Sequence, residues 1–220
     1  HFRYDRRARD VLRGRMAGIK KLFADAAKLL YLGVGISDPG TIPRKVDLWK
    51  IAEGEGWKVF NLSASVLNHK GKEAVRLKSL GDAGLALFED LELSNCKLDL
   101  SIAAVNQAVG LIVRAEDENS YELVSFDVDS AASKLAVRLG ERSAEVALPL
   151  HLLGEWIAIR VVVAPQFTAV FVNGNNMPSL KAPTDDQTSK GGLVGLWVGG
   201  DSESLVADLK YIQTKKRDFE

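Results

Sequence analysis

The feature that most constrains this chain is a two-residue alternation of apolar and polar side chains, interrupted at short intervals by glycine and asparagine. Leu98, Leu100 and Ile102 alternate with Lys97, Asp99 and Ser101, and Leu135, Val137 and Leu139 alternate with Lys134, Ala136 and Arg138. Val75 and Leu77 do the same against Ala74, Arg76 and Lys78. A period of two sends successive side chains to opposite sides of an extended backbone, so each run predicts a half-buried antiparallel strand with one face in water. The runs 108–114, 155–163, 167–172 and 193–198 are apolar on both faces or nearly so. They predict strands that are central in a sheet or covered on their second side. Turn residues fall between the runs at Asn68–Gly71, Gly81–Gly84, Asp117–Ser120, Gly140, Asn173–Asn176 and Gly199–Asp201. Asn173-Gly174 is the strongest hairpin cue among them, because both residue types tolerate positive φ. About a dozen short strands with no helix between them predict an all-β fold, two antiparallel sheets packed as a sandwich.

The alternation does not extend to the start of the chain. Val11, Leu12, Met16, Ile19, Leu22, Phe23, Ala26, Leu29 and Leu30 recur at steps of three and four, the period of an amphipathic helix. This segment is also basic. Residues 1–32 hold nine Lys or Arg against Asp5, Asp10 and Asp25, a charge of +6, and since the whole chain sums to zero the remainder carries −6. Gly33, Gly35, Pro39, Gly40 and Pro43 then end any helix. The expected organisation is a basic helical extension over 1–32, a linker over 33–45, a sandwich over 46–213 and a polar tail over 214–220. The helix stripe fits packing on the sandwich, docking to a partner, or lying on an anionic membrane surface. Arg6-Arg7 invites a translocation-signal reading, but no apolar stretch with a small-residue cleavage site follows. Opening on His1, the chain reads as a fragment or a processed chain, compatible with an export signal already removed.

Composition narrows the chemistry. With 220 residues, 46% of them hydrophobic, the chain can bury one large core. Equal numbers of basic and acidic residues, 29 each, argue against a nucleic-acid binder. A single cysteine, Cys96, excludes an intrachain disulfide and a multi-cysteine zinc site, and it opens a strand as a small hydrophobe. His1, His69 and His151 are too far apart for a metal-binding helix, and the latter two read as surface residues at strand ends. No apolar run reaches the ~20 residues of a membrane span. No glycine-rich phosphate loop is present. Two acid pairs sit at alternate positions, Asp90 with Glu92 and Asp127 with Asp129, as glycoside hydrolysis would need; solvated acids on exposed faces is the favoured reading.

Three stretches, in order, resemble one superfamily. Gly110-Leu-Ile-Val-Arg114-Ala-Glu-Asp117-Glu-Asn119-Ser-Tyr121 resembles the glycine-to-arginine hairpin of laminin-G-like domains. Trp156-Ile-Ala-Ile-Arg160, followed by the strand ending in Asn173-Gly174, resembles their next signature, and Gly192 through Trp197 with Val206 through Ile212 resembles their last strand pair. Residues 47–213 are thus similar to concanavalin A-like lectin/glucanase jelly rolls, including the 3-keto-disaccharide hydrolase-like domains. The last strand departs from the family, reading Val206-Ala207-Asp208 where a Phe-Asp-Asp-like triplet is usual.

The resemblance implies a sugar-related role on a concave sheet face. A groove of Arg114, Tyr121, Arg160 and Trp197 would stack sugar rings and grip hydroxyls through charge-assisted hydrogen bonds. By strand parity, Arg114 shares a face with Gly110 and Ile112, and Arg160 shares one with Trp156. Trp156 and Trp197 also supply the bulk a sandwich core requires. The turn Asp117, Glu118, Asn119 offers hard oxygens to a calcium ion at a sheet rim, as in some laminin-G-like domains. Glycan recognition by a lectin-like or accessory module is the expected function. A glycoside hydrolase, or a structural domain whose concave face is filled by its own helix or by another protein, are the alternatives. The expected location is secreted or envelope-associated.

Overall fold

The computed structural model describes residues 42–106, 108–129, 131–149, 155–184, 191–200 and 202–214. The helix expected over 1–32 lies outside them, as do most of the linker, His151 and the tail beyond Thr214.

Within these residues the chain runs through β1 (Arg44–Lys45), a one-turn helix α1 (Lys50–Glu53), β2 (Trp57–Phe60), β3 (Leu62–His69), β4 (Lys72–Ser79), β5 (Ala83–Leu93), β6 (Cys96–Asn106) and β7 (Val109–Ala115). It continues through β8 (Glu122–Asp129), β9 (Lys134–Leu139), β10 (Arg142–Ala147), β11 (Ile157–Ala164), β12 (Phe167–Val172), β13 (Leu180–Pro183), β14 (Gly192–Gly199) and β15 (Glu203–Gln213). One sheet of eight strands has the order β13-β12-β11-β6-β15-β4-β3, with β1 also paired to β15; the other, of seven, has the order β10-β9-β8-β7-β14-β5-β2. The pairings are antiparallel, and β7 to β10 form a continuous meander. The fold is all-β and the sandwich is as the alternation predicts. No described helix is long and apolar enough to cross a membrane.

The predicted apolar parities are the core. Leu98, Leu100 and Ile102 of β6, Val75 and Leu77 of β4, and Leu135, Val137 and Leu139 of β9 all face inward and are buried together. The strands apolar on both faces occupy interior positions, β7 beside β14 and β11 between β6 and β12. A central strand has neighbours on both edges, so its second face must be covered by adjacent side chains rather than by water.

Three details differ from the sequence expectation. The helix α1 is present although the residue pattern implies no helix within the sandwich; Gly54, left-handed at φ 70°, closes it after a single turn. The tryptophan of the core is Trp57, 4% exposed and stacked at 5.0 Å on Phe88, whereas Trp156 and Trp197 lie on the outer faces of the two sheets. Asn173-Gly174, both at positive φ, ends β12 and opens a longer loop to β13; tight two-residue hairpin turns are found instead at Lys70-Gly71, between β3 and β4, and at Gly140-Glu141, between β9 and β10.

Two bulges redirect charged side chains. On β7, Ala115 pairs with Leu193 but Ile112 pairs with Gly195, so one residue of β7 is extra, and Arg114 there takes φ 54°. On β15, Ala207 pairs with Ser101 but Lys210 with Asp99, and Asp208 in that irregularity takes φ 57°. The first requires Gly192 opposite it, since a Cβ at 192 would stand 2.6 Å from the Arg114 carbonyl carbon.

Candidate functional site

The outer face of the seven-stranded sheet is half apolar and half polar. One cross-strand row reads Leu87, Gly195, Ile112, Leu123. The next reads Phe60, Leu85, Trp197, Gly110, Ser125, Arg138, Ser143. Leu85, Leu87, Ile112 and Ala115 form a second buried cluster on this face, topped by partly buried Phe60, Tyr121, Leu123, Leu193 and Trp197. Glycine makes the surface possible: a Cβ at Gly110 would stand 3.3 Å from the Trp197 ring and 2.6 Å from Leu123, so the indole lies across the backbone of β7. At the meander end a cleft of about 530 Å³ is lined by Tyr121, Leu123, Ser125 and Arg138, with Glu116 and Glu122 at its side. Arg138 is exposed, and neither it, Ser125 nor the Tyr121 hydroxyl has a hydrogen-bond or ion-pair partner among the described residues.

The outer face of the eight-stranded sheet carries a network of paired charges beside a small apolar cluster of Val162, Ala169, Phe171 and Phe167. Arg160 on β11 grips Asp99 on β6 with two bonds, Nε to Oδ1 at 2.6 Å and Nη2 to Oδ2 at 3.2 Å. Lys72 donates to Asp208 at 2.8 Å and to the Ser101 hydroxyl at 3.1 Å. The Asp208 carboxyl is held below the ordinary carboxylate range, first by the hydrogen bond from Lys72 and then by the nearby positive charges of Lys72 and Lys210. Trp156 stands beside this network, its indole N–H donating to the His69 carbonyl at 3.3 Å and the Lys72 ammonium 5.4 Å from its ring centre. A shallow cleft of about 420 Å³ runs over Asp99, Ser101, Arg160, Phe171 and Asp208.

The four residues expected to share one groove are therefore divided. Tyr121 and Trp197 lie on the outer face of the seven-stranded sheet. Arg160 lies on the outer face of the other sheet, the face that Trp156 also takes, as parity implies. Arg114 lines the same cleft as Tyr121, but from within the sandwich end. Its side chain is 3% exposed and forms an ion pair with Glu122, and its guanidinium also donates to the Ala164 carbonyl at 2.7 Å, to Thr168 Oγ1 at 3.0 Å and to Thr184 Oγ1 at 3.2 Å. Parity places it on the face of Ile112, but the bulge inserts one residue between them. Ala115 takes the outward place in the apolar cluster, and Arg114 turns inward to clamp the β11–β12 turn of the opposite sheet.

The acids are also separated. Asp90 and Glu92 are exposed in the irregular part of β5, where residues between Phe88 and Glu92 have no partner on β14. Asp129 caps a turn by accepting the Ala132 N–H. Two pairs of carboxylates that the sequence did not single out share a cleft: Glu116 with Glu122 at the meander end, and Asp99 with Asp208, which come from β6 and β15, 109 residues apart in the chain and adjacent only through sheet order. In the turn considered for calcium, Asp117 Oδ1 accepts the backbone N–H groups of Asn119 and Ser120, both at 2.8 Å, so that oxygen organises the turn. Among the described residues no three His, Cys, Asp or Glu side chains converge as a metal site would need.

No family model and no curated protein matches the sequence. Solved structures do match in shape. The chain is similar to the carbohydrate binding module CBM66 from Bacillus subtilis, at 14% identity and TM-score 0.51, over 72% of this chain and 96% of that one. It is similar to a Bacillus subtilis protein of unknown function with a galectin-like fold, at 11% identity and TM-score 0.53, over 78% and 98%. It also matches a sialidase at 15% identity and TM-score 0.54, over 80% of this chain and 19% of that one. At these identities the likeness defines the fold, the concanavalin A-like jelly roll.

Proposed function

We propose that the protein recognises glycans, without cleaving them, at the outer face of the seven-stranded sheet. The observation that carries this reading is the juxtaposition there of half-buried aromatics, Tyr121 and Trp197, with polar groups that have no partner of their own among the described residues, Arg138 and Ser125. A sugar ring offers an apolar C–H face and a rim of hydroxyls. It needs an aromatic wall for the first and uncommitted donors and acceptors for the second. Arg160 and Trp156, on the opposite sheet, already have partners and are outside this site. Arg114 supports the site from beneath by fixing Glu122 at its edge. Among proteins of this shape, the module from Bacillus subtilis is named for carbohydrate binding, and that name lends the reading support. The partner is then a glycan or glycoside, and the protein works outside the cell or at its envelope.

Against the hydrolase reading stands the state of one carboxylate, Asp208. Asp99 and Asp208 line one cleft, as a catalytic pair would, but each is tied to a cation, Arg160 and Lys72. A general acid must hold its proton near neutral pH, which requires a raised carboxyl, and Asp208 is lowered.

A glycan array of the full chain tests the proposal, with Tyr121→Ala and Arg138→Ala beside an Arg160→Ala control. Binding that weakens by about tenfold or more in the first two and is unchanged in the third supports the site. Absence of binding to any glycan, or loss in the Arg160→Ala variant alone, rejects it.

A further inference from the structure

We propose that two copies of the chain pair through the free edge of β3, so that their eight-stranded sheets run together as one. The consequence for glycan binding rests on the proposed glycan recognition; the pairing does not.

An edge strand leaves a row of backbone N–H and C=O groups unpaired, and proteins blunt such edges with shortness, charge or proline. Three of the outer strands here are blunted. β2 and β13 have four residues each; β2 carries Lys58, ion-paired with Glu89, and β13 carries Lys181 and ends at Pro183. β10 carries Arg142 and Glu145. β3 has none of these devices. It runs eight residues, Leu62–His69, without Lys, Arg, Asp, Glu or Pro, in unbroken register with β4. Lys70-Gly71 closes a two-residue hairpin, so His69 and Lys72 form a hydrogen-bonded pair, and the alternation repeats at Leu67, Ser65 and Ser63. The backbone groups of Ala64, Val66 and Asn68 therefore point away from β4, and no strand among the described residues lies beyond them.

The same flank is apolar. Val66 shares the parity of Leu62 and Ala64, which pack on the core, yet it is 48% exposed. Val59 on β2 and Leu80, whose N–H donates to the Asn61 carbonyl between β2 and β3, are exposed on this side too. Trp49 is exposed at the head of α1, which packs against β2 and β3. The composition of β3 points to a second copy as its occupant. A strand without charge offers nothing to a charged partner, and two such strands oppose no like charges. Antiparallel pairing about a two-fold axis at Val66 sets Val66 against Val66, Ala64 against Asn68 and Ser65 against Leu67 of the second copy, with about six backbone hydrogen bonds. Such a contact uses the same patch on both copies and closes at two. The axis is normal to the sheet, so both seven-stranded outer faces turn to the same side and the dimer presents two glycan clefts together.

Sedimentation of the full chain tests this. The mass of two chains is expected at concentrations on the order of 100 μM, and the mass of one for Val66→Lys with unchanged circular dichroism. The opposed Cα atoms at position 66 would stand about 5.5 Å apart, within disulfide reach, so Val66→Cys should form a covalent dimer under oxidised glutathione. Cys96 is buried and its thiol is pushed up to about 12, so it stays out of the reaction. Ser143→Cys, on the exposed outward side of β10, should give no covalent dimer. If the lysine unfolds the chain, the two cysteine variants decide. A monomeric parent, a dimer that survives Val66→Lys, crosslinking at 143 as fast as at 66, or growth beyond two copies overturns the proposal. Val66→Lys leaves the cleft intact, so it should bind a soluble monovalent glycan as the parent does and lose about tenfold or more on a dense glycan surface. A dimer that binds no glycan would sustain the pairing and reject the glycan reading.

Discussion

The two outer faces of the sandwich are made from the same kind of strand yet arrive at opposite surfaces. On the eight-stranded sheet, the outward charges satisfy one another, Arg160 with Asp99 and Lys72 with Asp208 and Ser101, beside a small apolar cluster of Val162, Ala169 and Phe171. On the seven-stranded sheet, outward positions on β5, β7 and β14 are apolar; farther along the meander Lys134 pairs with Glu145, while Ser125 and Arg138 have no such partners among the described residues. A surface whose charges are already paired must break those pairs to bind anything, so each new bond replaces an old one. A surface with apolar area and free donors has both terms of a binding energy still available. The difference separates structural polarity from polarity open to a ligand, and residue type alone does not reveal it, since an arginine is prominent on each face.

Substitutions can break or sharpen this contrast. The largest effect is expected at Arg114, which lines the cleft from within the sandwich end: Arg114→Ala strands Glu122 and the Ala164 carbonyl and should cost about 3 kcal/mol or more in chemical denaturation. An Arg114→Met, Glu122→Leu double variant should recover part of that loss. Next, Ile112→Ala on the apolar outer face should cost about 3 kcal/mol, because Ile112 is 0% exposed and leaves a cavity under Leu123 and Trp197. A loss below about 1 kcal/mol would show that this face behaves as open surface. Gly110→Ala should cost about 1–3 kcal/mol by forcing Leu123 and Trp197 aside, with a change in tryptophan fluorescence reporting the displaced indole.

On the charged face the expected effects are smaller. A double-mutant cycle on Asp99 and Arg160 should return a coupling below about 1 kcal/mol that shrinks in high salt, since both side chains are about a third exposed. The smallest effect concerns pH. Asp208 is lowered in the folded chain, so the stability it contributes is present above its unfolded value of 3.8 and is lost as pH falls through its folded value. Asp208→Asn should therefore lower stability slightly at neutral pH and reduce the fall below pH 4; an unchanged acid profile would show that Lys72 does not hold the carboxylate in solution.

Much of this molecule is legible in its sequence. The alternation of Leu98, Leu100 and Ile102 specified which side of β6 faces the core, because strand geometry allows no other assignment once one face is buried. The doubly apolar runs marked β7 and β14 as central. Cys96 as a buried small hydrophobe was legible in the same way, from its place at the head of an alternating strand. What was not legible depends on contacts between distant segments. Asp99 and Asp208 share a cleft only because β6 and β15 are neighbours in a sheet, and nothing local to either strand announces that pairing.

Arg114 marks the boundary between the two kinds of knowledge. Sequence alone determined that it lies on a strand beside Gly110 and Ile112, since that follows from local backbone preference and hydrophobic period. Only the tertiary structure decided which way it points. One extra residue opposite Gly192 reverses the parity of everything beyond it, and a bulge is fixed by the partner strand, not by the residues it displaces. The same holds for the two faces. The chain's own pattern determined that there would be an inside and an outside, while the order of strands decided which outward charges would meet a partner and which would be left for a ligand.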